Sequence, residues 1–135
     1  MRRYVLGVAV AAGLSLSALS WSVWAQSPAK GKESDKAKQA ERAKQGYNPV
    51  GIIDQGEVRA IRVELKPNAN RAIHQHDDVK SHLFIPLSAK LQVTIGSAKP
   101  VDAPVGQVFY ITRGTPHGFR NLSSEPGAAI EVFVK

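Results

Sequence analysis

Between Val50 and Lys135 no apolar segment runs far before a turn residue stops it. "VGII" meets "DQG", and "EVRAIRVEL" meets "KPNAN". "LFIPL" and "LQVTI" precede "GSAKP", "GQVFYI" ends at "TRGTP", "HGFRNL" ends at "SSEPG", and "AAIEVFV" closes the chain. None of these segments has a convincing helical period, and their β-branched and aromatic residues favour a pleated backbone. Strands this short and this regularly punctuated predict an all-β antiparallel sandwich or barrel.

Two segments of different texture come first. In "MRRYVLGVAVAAGLSLSALSWSVWAQ", Arg2 and Arg3 form a positive start, Tyr4 to Leu19 an apolar stretch, and Val23-Trp24-Ala25 a small-residue cleavage site. Serines interrupt the apolar run, which leads straight into the cleavage site, so residues 1–25 are expected to be a signal peptide rather than a membrane span. The product is then exported, to the periplasm or beyond, with no membrane association after cleavage. Residues 26–46, "QSPAKGKESDKAKQAERAKQG", hold no aromatic and no β-branched residue and carry six Lys/Arg against three acids. With no apolar face to bury, they are expected to be a basic flexible linker. Residues 47–135 form the single folded domain. The chain has no cysteine, so this domain rests on packing, with help from a metal where one binds.

The formal net charge of +7 misleads. Its excess lies in the signal and the linker; from Tyr47 onward there are ten basic residues and eight acids. No basic stripe is interleaved with aromatics, which argues against nucleic acid as a partner.

"RAIHQHDDVKSHLFIPL", Arg71 to Leu87, holds three of the four histidines, His74, His76 and His82; the fourth is His117. Residues two apart on a strand share a face, so His74 and His76 point the same way. "DDVKS" is a polar connection to a strand that begins at His82 and is expected to lie beside the first as a hairpin partner. A Gly-rich turn delivers His117 to the start of another strand, with Phe119 and Asn121 on its face. Four imidazoles converging in a barrel would make a metal site suited to iron, nickel, copper or zinc. Each histidine alone has a plainer reading, as a polar residue on a hairpin.

These residues resemble the cupin superfamily, small double-stranded β-helix (jelly-roll) barrels. The family's second motif is matched by Gly106, Gly114, His117 and Asn121, with Thr112 in place of its proline. In the first motif His74 and His76 match, and Asn68 stands for a glycine, a mild exchange because Asn tolerates the left-handed turn. The family's glutamate is absent; on the downstream strand alignment His82 takes its place, with one residue added to the loop, and Ala89 replaces a later glycine. The resemblance spans about Val50 to Lys135. It implies one divalent transition metal per chain, held by His74, His76, His82 and His117, with iron favoured and nickel, copper, zinc or manganese as alternatives. With His82 as a second neighbour rather than a ligand, the site would be a three-histidine one.

An all-nitrogen site would leave the ion its full positive charge and favour an anionic ligand. The resemblance then implies a metal-dependent oxidoreductase of dioxygenase type acting on a small oxygen-rich molecule. The alternative is a non-catalytic periplasmic cupin that binds a metal or small ligand. Phe84 and Phe119 share strand parity with His82 and His117 and are expected to wall the pocket. Arg59 and Arg62 are candidates to hold a carboxylate. Cupins often pair through their sheets, so a homodimer is expected.

Overall fold

The computed structural model of the protein describes residues 30–135; the signal peptide expected over residues 1–25 lies outside them. Among the described residues, helix α1 (Lys30–Gln45) precedes nine strands. They are β1 (Tyr47–Gln55), β2 (Val58–Leu65), β3 (Asn70–His74), β4 (Ser81–Ser88), β5 (Leu91–Ile95), β6 (Val101–Ala103), β7 (Phe109–Thr112), β8 (His117–Asn121) and β9 (Gly127–Val134). They pair antiparallel into a five-stranded sheet, β1-β2-β9-β4-β7, and a four-stranded sheet, β3-β8-β5-β6. This is the barrel that the punctuated sequence predicts.

Register decides which side chains meet inside. Across the larger sheet, Arg59, Phe133, His82 and Ile111 align in one row, and Ile61, Glu131, Phe84 and Phe109 in another. Both rows point toward the smaller sheet. The row between them, Ile53, Ala60, Val132, Leu83 and Tyr110, points outward. The core fills the gap between the sheets with Val63, Leu65, Leu91, Val93, Ile111 and a pair of phenylalanines. Phe84 and Phe119 stack across the gap with centroids 4.7 Å apart. Both are closed off from solvent, so they are core residues rather than the open pocket walls expected of them.

Two further expectations are corrected here. β3 and β4 are not hairpin partners: they lie in opposite sheets, β3 beside β8 and β4 between β9 and β7. Arg59 and Arg62, three residues apart on β2, face opposite ways, and Arg62 is exposed on the outer side.

The segment expected to be a flexible linker is helical over Lys30–Gln45. From Ser34 on its side chains are exposed except Arg42 and Gln45, as its composition requires. The same Ala, Lys, Glu and Gln residues that have nothing to bury have high intrinsic helix propensity. Arg42 and Lys44 suit the negative end of the helix, and Gly46, at φ 75°, ends it. Gln45 fastens that end to the barrel: its Oε1 accepts from the Ala72 backbone N–H at 2.9 Å. No described helix is long and apolar enough to cross a membrane.

The turns keep the backbone of the cupin-like motifs where the residues differ. Asn68 has φ 57° and Ala89 φ 65°, both left-handed. Asn121 is buried and acts as a fastener: its Nδ2 donates to the carbonyls of Lys66 (3.0 Å) and Glu125 (2.7 Å), and its Oδ1 accepts from the Ser123 N–H.

Gly118 sets how closely β8 approaches β3. A β-bulge displaces β3 between Arg71 and His74, and a Cβ on Gly118 would lie 2.8 Å from the Arg71 carbonyl oxygen. That neighbour is backbone and cannot swing aside. Gly118→Ala is therefore expected to destabilise the fold by about 1–3 kcal/mol, as overpacking does. Chemical denaturation of the variant checks this; an unchanged midpoint would mean that the two strands are free to part.

Candidate metal centre

His74 ends β3 directly across from His117, which begins β8. Their ring centroids are 4.4 Å apart. His76 follows in the loop after β3. Its carbonyl accepts from the Gly114 N–H at 2.9 Å, and the next carbonyl, of Asp77, accepts from Arg113 Nε at 2.8 Å. Two motif loops thus clasp one another and carry His76 over the site. His82 arrives from β4 on the opposite sheet, 5.4 Å from His76 and 4.8 Å from His117 between centroids. The four histidines singled out in the sequence are therefore brought together at one mouth of the barrel.

One member escapes the sequence reading. Glu131, on β9 between the β2 and β4 rows, points inward and is buried, with Oε1 3.3 Å from His82 Nε2. The site is thus not made of nitrogen donors alone. A signal existed: in "AAIEVFV" Glu131 falls at the same strand parity as Ala129 and Phe133, both buried.

Hydrogen bonds fix which nitrogen each ring presents. His74 Nδ1 lies 2.9 Å from the Ala72 carbonyl oxygen and His117 Nδ1 2.8 Å from that of Thr115. A carbonyl only accepts, so each Nδ1 carries the proton and each Nε2 a free lone pair. Nε2 of His76 and His117, both ring nitrogens of His82 and Oε1 of Glu131 are buried without a hydrogen-bond partner. Unpartnered buried polar atoms are uncommon in folded proteins, and five at one place call for a ligand.

Burial also favours the neutral form of His74, His76 and His117. It pushes His74 down to about 4, opposed in part by the bond to the Ala72 carbonyl and reinforced by Arg71. His117 is likewise pushed down to about 4 by burial, with His82 and His76 adding to the effect. His76 is lowered by burial and then by His82. For Glu131, burial pushes the carboxyl up, but the surrounding histidines, His82 first, outweigh it and hold the group below its ordinary value.

Imidazole nitrogens and a carboxylate are transition-metal donors. They fall into two overlapping triads, His74, His76 and His117, and His82, His117 and Glu131, each with ligand atoms within 4.8 Å of one another. The donor set fits a metal ion.

Phe133 flanks this centre. Its ring stacks on His82 at 4.6 Å and 5°, and the Arg59 guanidinium lies 4.4 Å from its centroid. Arg59 is thus held at the edge of the cluster, whereas Arg62, Phe84 and Phe119 are not part of it.

The fold and the histidine cluster together define a cupin. The family profile of the cupin domain matches residues 61–133, more than half of the chain, and the protein belongs to this family. Among solved structures it is similar to TT1209 from Thermus thermophilus (19% identity, TM-score 0.60, covering 67% of this chain and 84% of that one). It is also similar to KdgF from Halomonas sp. (18%, 0.60, covering 66% and 78%). An oxalate oxidase in complex with the substrate analogue glycolate matches at 17% identity and TM-score 0.61, over 67% of this chain but 52% of that one. At these identities the likeness is one of fold. No curated protein matches the chain in sequence.

The lowered histidines set the acid response of the metal-free protein. Their folded value of about 4 lies below the ordinary 6.5 that they regain on unfolding, so between these limits the unfolded chain binds more protons. Their contribution to stability is complete above pH 6.5 and is lost as pH falls toward 4. Melting temperatures of metal-free protein should fall over that window, and the His74→Asn/His117→Asn variant should flatten the slope. An unsloped wild-type curve would mean that these imidazoles are not buried.

Proposed function

We propose that the protein is an exported metal-dependent oxidoreductase of dioxygenase type, binding one divalent transition metal per chain and acting on a small oxygen-rich anion. The observation that carries this reading is the convergence of four imidazoles at one place in the barrel, two of which, His74 and His117, have Nδ1 engaged by a carbonyl and so direct Nε2 into the cluster. When bound, a transition metal supplies Lewis acidity and, for iron or manganese, one-electron redox chemistry. The chain's own residues do the rest. His74 and His76 hold the ion from the side nearer solvent, the buried His117 and His82 hold it from the two sheets, and the hydrophobic core beneath them keeps water from its inner side. Arg59, braced on Phe133, offers a fixed guanidinium to a carboxylate that enters the mouth. The oxalate oxidase among the structural neighbours was solved with a small hydroxy acid, which is the substrate class this arrangement suits.

Elemental analysis of the mature protein should find about one transition metal per chain, with iron or manganese supporting activity. His76→Ala/His117→Ala should lower that content at least about tenfold. An oxygen electrode reads turnover by the metal-loaded protein against small α-hydroxy and dicarboxylic acids. Full metal content without oxygen uptake would leave the non-catalytic periplasmic binding cupin as the function. Full metal content in the double variant would remove the site itself.

The homodimer is proposed through the outer face of the larger sheet. Ile53, Leu83, Val132 and Tyr110 line up there, with Ile53 47% and Tyr110 63% exposed. Light scattering should report twice the chain mass, and Leu83→Lys should halve it. A monomeric wild type would leave that face without this role.

A further inference from the structure

We infer that Glu131 is an anionic ligand of the same metal ion, supplying from β9 the carboxylate that the first motif of this chain lacks. The inference rests on the metal-centre reading above and adds to it a donor, a charge and a metal preference.

Three observations converge on Glu131. Its row neighbours on the flanking strands are the apolar Ile61 and Phe84, and in the same sheet His82, on β4, is the polar side chain beside it. It is buried, yet Oε1 has no hydrogen-bond partner. A carboxylate in an apolar row is costly to keep unless a cation faces it. The third observation is the spacing to His82. The 3.3 Å between Oε1 and His82 Nε2 comes without the alignment of a hydrogen bond. Two donors each about 2.1 Å from one ion stand about 3.0 Å apart at a right angle and about 3.4 Å apart at the tetrahedral angle. The pair is therefore spaced as two ligands of one ion, and His117 completes a set whose ligand atoms all lie within 4.8 Å.

The chemical consequence concerns charge and choice of metal. Four imidazoles leave a divalent ion at its full charge and favour nitrogen-seeking metals such as copper, nickel and zinc. A carboxylate oxygen lowers the charge of the centre by one and shifts preference toward harder ions such as manganese. Moving the carboxylate from the β3–β4 side to β9 also places it on the larger sheet beside His82, and leaves the more exposed side of the ion to His74, His76 and an incoming ligand.

The test compares Mn2+ and Zn2+ binding by calorimetry in the mature wild-type protein, Glu131→Gln and Glu131→Asp. Glu131→Gln should weaken Mn2+ at least about a hundredfold and Zn2+ roughly tenfold, while the metal-free variant melts no lower than wild type. Glu131→Asp keeps the charge but withdraws the oxygens by about one carbon–carbon bond, and should lose most of the same Mn2+ affinity. Wild-type Mn2+ affinity in Glu131→Gln would overturn the inference. So would wild-type affinity in Glu131→Asp, because the charge would then act through space. Should the variants fail to fold, infrared difference spectra of the wild type with and without Mn2+ decide the matter: the inference requires a shifted carboxylate band, and its absence overturns it. A wild type that binds neither ion would remove the metal centre as a whole, whereas tight, Glu131-independent binding would remove only this ligand.

Discussion

The unpartnered polar atoms at the barrel mouth are the constraint to which the rest of the structure answers. A buried polar atom without a partner costs about 1–3 kcal/mol, and the site holds five such atoms. A domain this size is stable by only about 5–15 kcal/mol. Such a cluster persists because everything around it is fixed independently. The two sheets are pinned by core residues from both sides, the motif loops are clasped through Gly114 and Arg113, and Asn121 ties its own turn, through Ser123 and Glu125, to the distant Lys66. Metal binding would offset the cost and return it as affinity.

One device recurs on both sides of the cluster. His74 and His117 each anchor Nδ1 on the carbonyl two residues earlier in the chain, that of Ala72 within β3 and that of Thr115 in the turn before β8. The anchor is local, so it depends on no distant pairing, and it commits the opposite nitrogen to the interior. His82 lacks such an anchor; it is held by stacking on Phe133 and faces Glu131 instead. The centre therefore has a hydrogen-bonded half on the smaller sheet and a half on the larger sheet set by packing and charge.

Much of this was legible in the sequence because it depends on local rules. Turn residues delimit the strands, the second motif places His117, and Asn68 takes the left-handed conformation expected of it. What was not legible depends on pairing between distant segments. That His82 lies in the opposite sheet from His74 follows from β4 pairing with β9, a contact that no local pattern announces. Glu131 stands outside both cupin-like motifs, and only its strand parity with the buried Ala129 and Phe133 announces it. The same rule separates Arg59 from Arg62, which three-residue spacing sends to opposite faces of one strand. The helix is a different case: its composition fixes its solvation, and the question of helix or coil is left to propensity and the stop at Gly46.

The bond from Gln45 to Ala72 bears on the chain's behaviour in a crowd. β3 borders the smaller sheet, and a bordering strand presents free N–H groups on which another molecule's strand can grow. Gln45 occupies one of these groups with a side-chain oxygen. The other three borders are blunted as well: β1 carries Pro49 and a bulge, β6 has three residues and β7 four. A cysteine-free barrel cannot rely on disulfides to keep its sheets closed to neighbours. Here that protection comes from the last residue of a helix with almost no apolar surface, so a change at Gln45 would be felt less as lost stability than as a gain in sticking between molecules.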